Sequence, residues 1–196
     1  TVSLHPFFLR LKATFITESP MRLYLVSQFN YGGTLLSRLE RMVRTGRSGT
    51  RESSFGGRAG GLAEHEVVIY TNQVVVALEF LHENDMRAID LNPRGILIDA
   101  KTGNIKLTNF GSEHAALVFV DQNVDSMSER TICTNGVESI MYIAPEILQN
   151  RHWKNPRKVV PLRRRIQHPA ADFWSLGVLM YELLQGVPPF GNRVGR

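Results

Sequence analysis

The chain has 196 residues, 43% of them hydrophobic and 21% charged, which are ordinary proportions for a globular protein. That length holds one domain with its own core or part of a larger one, and no apolar run approaches the ~20 residues a membrane span needs. A single cysteine, Cys133, excludes an internal disulfide framework and fits a reducing compartment, and the net charge of +5 permits an acidic or nucleic-acid partner without requiring one.

His5 to Phe15, HPFFLRLKATF, opens with a turn and becomes strand-like, and Arg22 to Phe29 is a second β-rich run. Glu18-Ser19-Pro20 between them supplies turn residues, so the pair predicts an antiparallel hairpin. Asn30 to Gly33 breaks the second strand, and Thr34 to Met42 predicts a helix. Arg44 to Gly61 is rich in Gly, Arg and Ser and has no apolar period. It predicts a disordered insertion, because it cannot bury enough surface to offset the entropy of ordering.

Leu62 to Asn84 carries the strongest helical signal. Val67, Tyr70, Val74, Ala77, Leu78 and Leu81 recur at three- and four-residue steps, and Glu64 and Glu66 favour the helix dipole at its start. From Leu78 to Gly111 the pattern predicts the end of that helix, a tight loop around Asp90, a short hairpin turning at Thr102-Gly103, and a second loop at Asn109-Phe110-Gly111. Two loops on one face of a hairpin can aim two polar side chains into one cleft. Taken alone, Asp90 is more often a turn or capping aspartate than a base; within this series of motifs the two readings are even.

Ser112 to Gly136 is polar and predicts a loop. Arg151 to Arg165 holds seven basic residues, two prolines and no acidic residue, and predicts an exposed basic loop. Ala170 to Gln185 is apolar nearly all round, which predicts a helix buried in the middle of a larger domain, with Trp174 in its core and its flanks exposed where the later helices are missing. Gly186 and Val187-Pro188-Pro189-Phe190 end it. The six histidines have no metal-ligand spacing with Cys133 and read as structural or exposed.

The order of HPFFLRLKATF, LYLVSQFNYGG, EHEVVIYTNQVVVALEFLHEN, AIDLNPRGILID, Asn109-Phe110-Gly111, Ala144-Pro145-Glu146 and Asp172 to Gly177 resembles the AGC group of serine/threonine protein kinases. Its helices look most like those of mitogen- and stress-activated kinases and ribosomal S6 kinases. The resemblance implies an α+β protein-kinase-like fold, incomplete here. Residues 1–33 would be the end of the N-lobe sheet and the hinge. Residues 34–196 would be a C-lobe portion, interrupted by insertions at 44–61 and 151–167. The phosphate loop, the strand lysine and its glutamate partner have no counterpart, so the chain reads as partial.

The resemblance also implies site residues and a cofactor, ATP with Mg²⁺. Asp90 matches the catalytic base. Asn92 stands in place of the lysine that steadies the γ-phosphate. Gly95 stands where a metal-binding asparagine would be, so that ligand is lost, and Asn109 replaces the metal-binding aspartate, a neutral amide being a poorer Mg²⁺ ligand. Ile89 replaces the arginine that grips activation-loop phosphate, and Arg94 inverts the charge of a substrate-reading glutamate. Gln28, Phe29 and Asn30 match the hinge, Leu97 the residue beneath adenine, and Thr34 replaces an acidic ribose contact. Asp172 matches the buried aspartate that holds the catalytic loop. Glu146 matches a carboxylate paired with a distant arginine, and buried without that arginine it would cost several kcal/mol.

These substitutions point to a catalytically impaired domain, a pseudokinase or truncated fragment, inside the cell in cytoplasm or nucleus. Its partner would be a protein rather than nucleic acid or a membrane. An active ATP-dependent kinase whose N-lobe lies outside the chain, and a non-catalytic interaction module with a basic docking loop, are the alternatives.

Overall fold

A computed structural model of the chain describes residues 5–18, 21–45, 60–88, 91–108, 141–146 and 169–190. The two β-rich runs near the start form strands β1 (Leu11–Glu18) and β2 (Met21–Ser27), paired antiparallel as expected. Phe15 and Tyr24 are cross-strand partners whose rings stack at 4.8 Å, the pair contact that stabilises such a ladder. A bulge falls between Leu11 and Ala13. Phe15, Ile16, Met21, Leu25 and Val26 are all exposed, so this hairpin lies outside the core.

The core is built by Phe8, ahead of β1, and by the later elements: helices α1 (Leu35–Thr45) and α2 (Glu64–Glu83), strands β3 (Ile96–Ile98) and β4 (Ile105–Leu107), and helix α3 (Ala170–Gln185). In α2 each residue of the predicted stripe, from Val67 to Leu81, is buried. Thr71 is buried with them, because its hydroxyl donates to Val67 O at 2.7 Å and so brings no unsatisfied polar atom inside. The run Val74-Val75-Val76 stays helical, with Val74 inside and its two neighbours exposed.

Strands β3 and β4 pair antiparallel around the predicted Thr102-Gly103 turn. Asp99 Oδ1 accepts from Lys101 N at 2.8 Å and Thr102 N at 3.2 Å, and these donors hold its carboxyl below the usual carboxylate range. Gln73 ties this hairpin to α2: its Nε2 donates to Asn104 Oδ1 and its Oε1 accepts from Ile105 N, each at 2.8 Å. Gln73→Ala leaves the Ile105 amide without its acceptor, and is expected to lower stability by about 1–3 kcal/mol. The shift of the urea unfolding midpoint at unchanged slope measures it.

Two expectations need correction. Helix α3 buries one face, with Leu176, Leu179 and Leu183 in the core, but Phe173, Trp174, Met180 and Tyr181 are exposed. Trp174 is 38% exposed and stacks on Phe190 at 5.7 Å rather than filling the core. The apolar character of α3 is therefore wider than the face its neighbours cover. The stretch 44–61, expected to be a disordered insertion, is also ordered at both of its described ends. Arg44 and Thr45 complete α1, and Gly61 lies against the last turn of α3, where Leu62 N donates to Leu183 O at 2.7 Å. A Cβ on Gly61 would sit 2.1 Å from Leu184 O, so this glycine serves a close backbone contact and not chain freedom. Residues 46–59 and the insertion expected at 151–167 lie outside the described residues. Among the described residues no helix is long and apolar enough to cross a membrane.

Candidate active site

At the open end of the β3–β4 hairpin, Gly95 in the first expected loop meets Thr108, the residue before the second. Gly95 O accepts from Thr108 N at 3.0 Å and from Thr108 Oγ1 at 2.9 Å. The end of the first loop and the entry to the second are thereby fastened side by side. Ile89, Asp90, Asn109, Phe110 and Gly111 themselves lie outside the described residues, as does the stretch 112–140.

Within the first loop, Asn92 is 5% exposed and its side chain is turned onto its own backbone. Asn92 Oδ1 accepts from Arg94 N at 2.9 Å and Gly95 N at 3.2 Å, the geometry of an Asx turn. Leu36 N of α1 donates to Pro93 O at 3.0 Å, so the loop is also held from the helix side. Gly95 is buried and offers backbone alone, while Arg94 is exposed at the turn. Among the described residues no three metal-ligating side chains come together.

The start of the loop hangs from α3. Asp172 is 5% exposed and its Oδ2 accepts from Ala88 N at 3.2 Å. His82 Nε2 lies 2.7 Å from the same oxygen, and since a carboxylate can only accept, that nitrogen carries the hydrogen. The aspartate expected to hold this loop does so, with a histidine that the sequence shows as one of six without pattern. Asp172 is the first of three buried polar residues on α3, followed by Ser175 and Glu182. Ser175 Oγ donates to Tyr142 O at 2.8 Å, and the buried Tyr142 hydroxyl donates to the Glu182 carboxylate. Steps of three and seven put all three on one face of the helix. One face of α3 therefore anchors both the loop before Leu91 and the segment leading to Glu146. Their spacing is visible in the sequence, although an apolar helix draws attention away from it. Glu146 is exposed, so the burial cost expected for it does not arise.

The hinge expected at Gln28 to Asn30 continues β2: Gln28 N donates to Arg10 O at 2.8 Å. Phe29 is 72% exposed. Asn30 Oδ1 accepts from Gly32 N at 3.1 Å, while its Nδ2 is buried without a hydrogen-bond partner. The chain then crosses β3, where Ile98 N donates to Gly33 O at 2.9 Å and Thr34 bridges to Leu97. The hinge's end and Leu97 are thus brought together. Thr34 is occupied as the cap of α1, its hydroxyl accepting from Ser37 N at 3.0 Å.

A family model described as "Protein kinase domain" matches residues 1–196. The chain is 35% identical over 189 residues to "Putative ribosomal protein S6 kinase alpha-1" of Caenorhabditis elegans, covering 96% of this chain and 18% of that protein. It is 32% identical to the human "Ribosomal protein S6 kinase alpha-6", over 96% of this chain and 20% of the relative. It is 30% identical to the "cAMP-dependent protein kinase catalytic subunit" of Dictyostelium discoideum, over 95% of this chain and 22% of the relative. The chain therefore spans about a fifth of the length of these relatives. A loop whose start hangs from the buried face of α3 and a match along the full chain lead to one conclusion: the chain belongs to the protein kinase domain family, as an AGC-like member of the S6-kinase type.

Proposed function

We propose that this domain is a protein-kinase-like scaffold without normal phosphotransfer, a pseudokinase. The observation that carries this reading is Asn92. In the place of a phosphate-steadying lysine it offers an uncharged amide, buried and bonded to its own loop. Phosphoryl transfer depends on positioned metal and neutralised phosphate charge. The residues here do not suit that metal: Gly95 has no side-chain donor and Asn109 is neutral, so no catalytic step is assigned to ATP with Mg²⁺.

Residues 1–33 serve as the last N-lobe strands and hinge, and residues 34–196 as the C-lobe portion. The partner is a protein and the setting intracellular, cytoplasmic or nuclear, by analogy with S6-kinase relatives and a single cysteine. A peptide-labelling assay with Mg-ATP tests the reading. Transfer is expected to stay at background and to be unchanged by Asp90→Ala. Labelling that Asp90→Ala abolishes overturns it. Asn92→Lys alone is expected not to restore transfer, because it brings back one charge, leaves both metal positions altered and removes the Asx turn.

A further inference from the structure

The segment preceding β1 runs along β4. Leu107 N donates to Phe7 O at 2.7 Å and Leu9 N donates to Leu107 O at 2.9 Å, so residues 7–9 add a parallel rung to that strand. Phe8 between them is 2% exposed, in the core. Ahead of it, His5 packs against the rings of Phe80 at 4.7 Å and Phe8 at 5.0 Å. His5 Nδ1 accepts from Phe7 N at 3.3 Å. An imidazole nitrogen accepts only while its lone pair is free, so this contact requires the neutral ring with its hydrogen on Nε2. Lys106 of β4 donates through its ammonium to Pro6 O, one residue away along the chain.

We propose that residues 5–9 form an acid-released strap on β4: a proton on His5 Nδ1 breaks the bond from Phe7 N–H, places two donors face to face beside the Lys106 ammonium, and loosens the rung. The consequence reaches the candidate site by a short path. β4 leads directly into Thr108, whose amide and hydroxyl hold Gly95 and with it the junction of the two loops. The inference does not rest on the loss of phosphotransfer.

Burial and then the Lys106 charge both hold His5 below the ordinary histidine value. Lys106 is the charged group that acts on the ring from β4; α2 presents Phe80 there, with Glu79 and Glu83 on the same helix exposed to solvent. A cationic ring gains some attraction from the faces of Phe80 and Phe8. That effect has the opposite sign to burial and the Lys106 charge, which lower the His5 value. With the folded value below the unfolded one, the strap's stabilisation is full above roughly pH 6.5, the ordinary histidine value, and is lost as the pH falls through the folded value.

The test is an NMR titration of the His5 ring with amide hydrogen exchange at Leu9 and Leu107, from about pH 7.5 to about pH 5. Leu9 and Leu107 are expected to lose protection, relative to Val74 and Leu78 of α2, in step with His5. His5→Gln should remove that pH dependence, and Lys106→Gln should raise the His5 midpoint. Should His5→Gln fail to fold, the Lys106→Gln titration still decides. A His5 midpoint at or above the ordinary value, a midpoint unmoved in Lys106→Gln, or Leu9 and Leu107 tracking Val74 throughout overturns the proposal.

Discussion

Asp172→Ala is expected to cost about 3–5 kcal/mol, a large share of a domain stability that typically lies at about 5–15 kcal/mol. One buried carboxylate oxygen receives both Ala88 N, 84 residues earlier, and His82 Nε2, 90 residues earlier. Removing it leaves the buried Ala88 amide unsatisfied, which costs about 1–3 kcal/mol, and takes the partner from the half-buried His82 ring as well. Asp172→Asn keeps one acceptor and should recover part of the loss. The urea midpoint of each variant gives the energies, and exchange at the Ala88 amide reports the loop directly. In a double-mutant cycle with His82→Ala the two losses should not add, because the residues share one contact. A loss below about 1 kcal/mol for Asp172→Ala would show that α3 does not hold the loop.

Gly32→Ala is expected to destabilise by about 3 kcal/mol or more, the upper range for forcing atoms into a packed site. A Cβ there would lie 1.7 Å from Ile98 O and 2.7 Å from Ile98 C, with Ala100 N at 3.1 Å. These are backbone atoms, which cannot rotate away. Relief requires lifting the hinge off β3 and breaking the Ile98 N to Gly33 O bond of 2.9 Å. Gly103→Ala is the matched control, since a Cβ there meets nothing within 4 Å and the cost is the left-handed backbone at φ +73° alone. That strain is about 1–2 kcal/mol. Thermal melting of the pair separates the two causes. Equal losses would mean that the close approach of the hinge to β3 contributes nothing.

Much of the fold is legible along the chain because it is locally encoded. The antiparallel pairing of β1 with β2 follows from two β-rich runs around turn residues. The buried stripe of α2 follows from three- and four-residue spacing, and the β3–β4 turn from Thr102-Gly103. The order of these elements with Ala144-Pro145-Glu146 and Asp172 to Gly177 is enough to carry the kinase resemblance. The same resemblance carries the expectation that Asn92, Gly95 and Asn109 stand at altered site positions.

Other features depend on what a residue meets far along the chain. Asn92 reads as a lysine replaced by an amide, and only the closed loop shows that amide spent on Arg94 N and Gly95 N. Glu146 matches a buried carboxylate by motif and is exposed in place. Gly61 sits in a stretch whose composition suggests freedom, yet its missing Cβ is what lets the backbone meet Leu184 O.

What the sequence by itself determined is therefore the set of elements and their order. Periodicity and turn chemistry act between residues a few positions apart, so they can be read locally. Only the tertiary structure decided that one face of α3 joins Asp172 to His82 and Ala88, and Ser175 and Glu182 to Tyr142. Those bonds exist because packing removes water from groups 33 to 90 residues apart and leaves each the other as its partner.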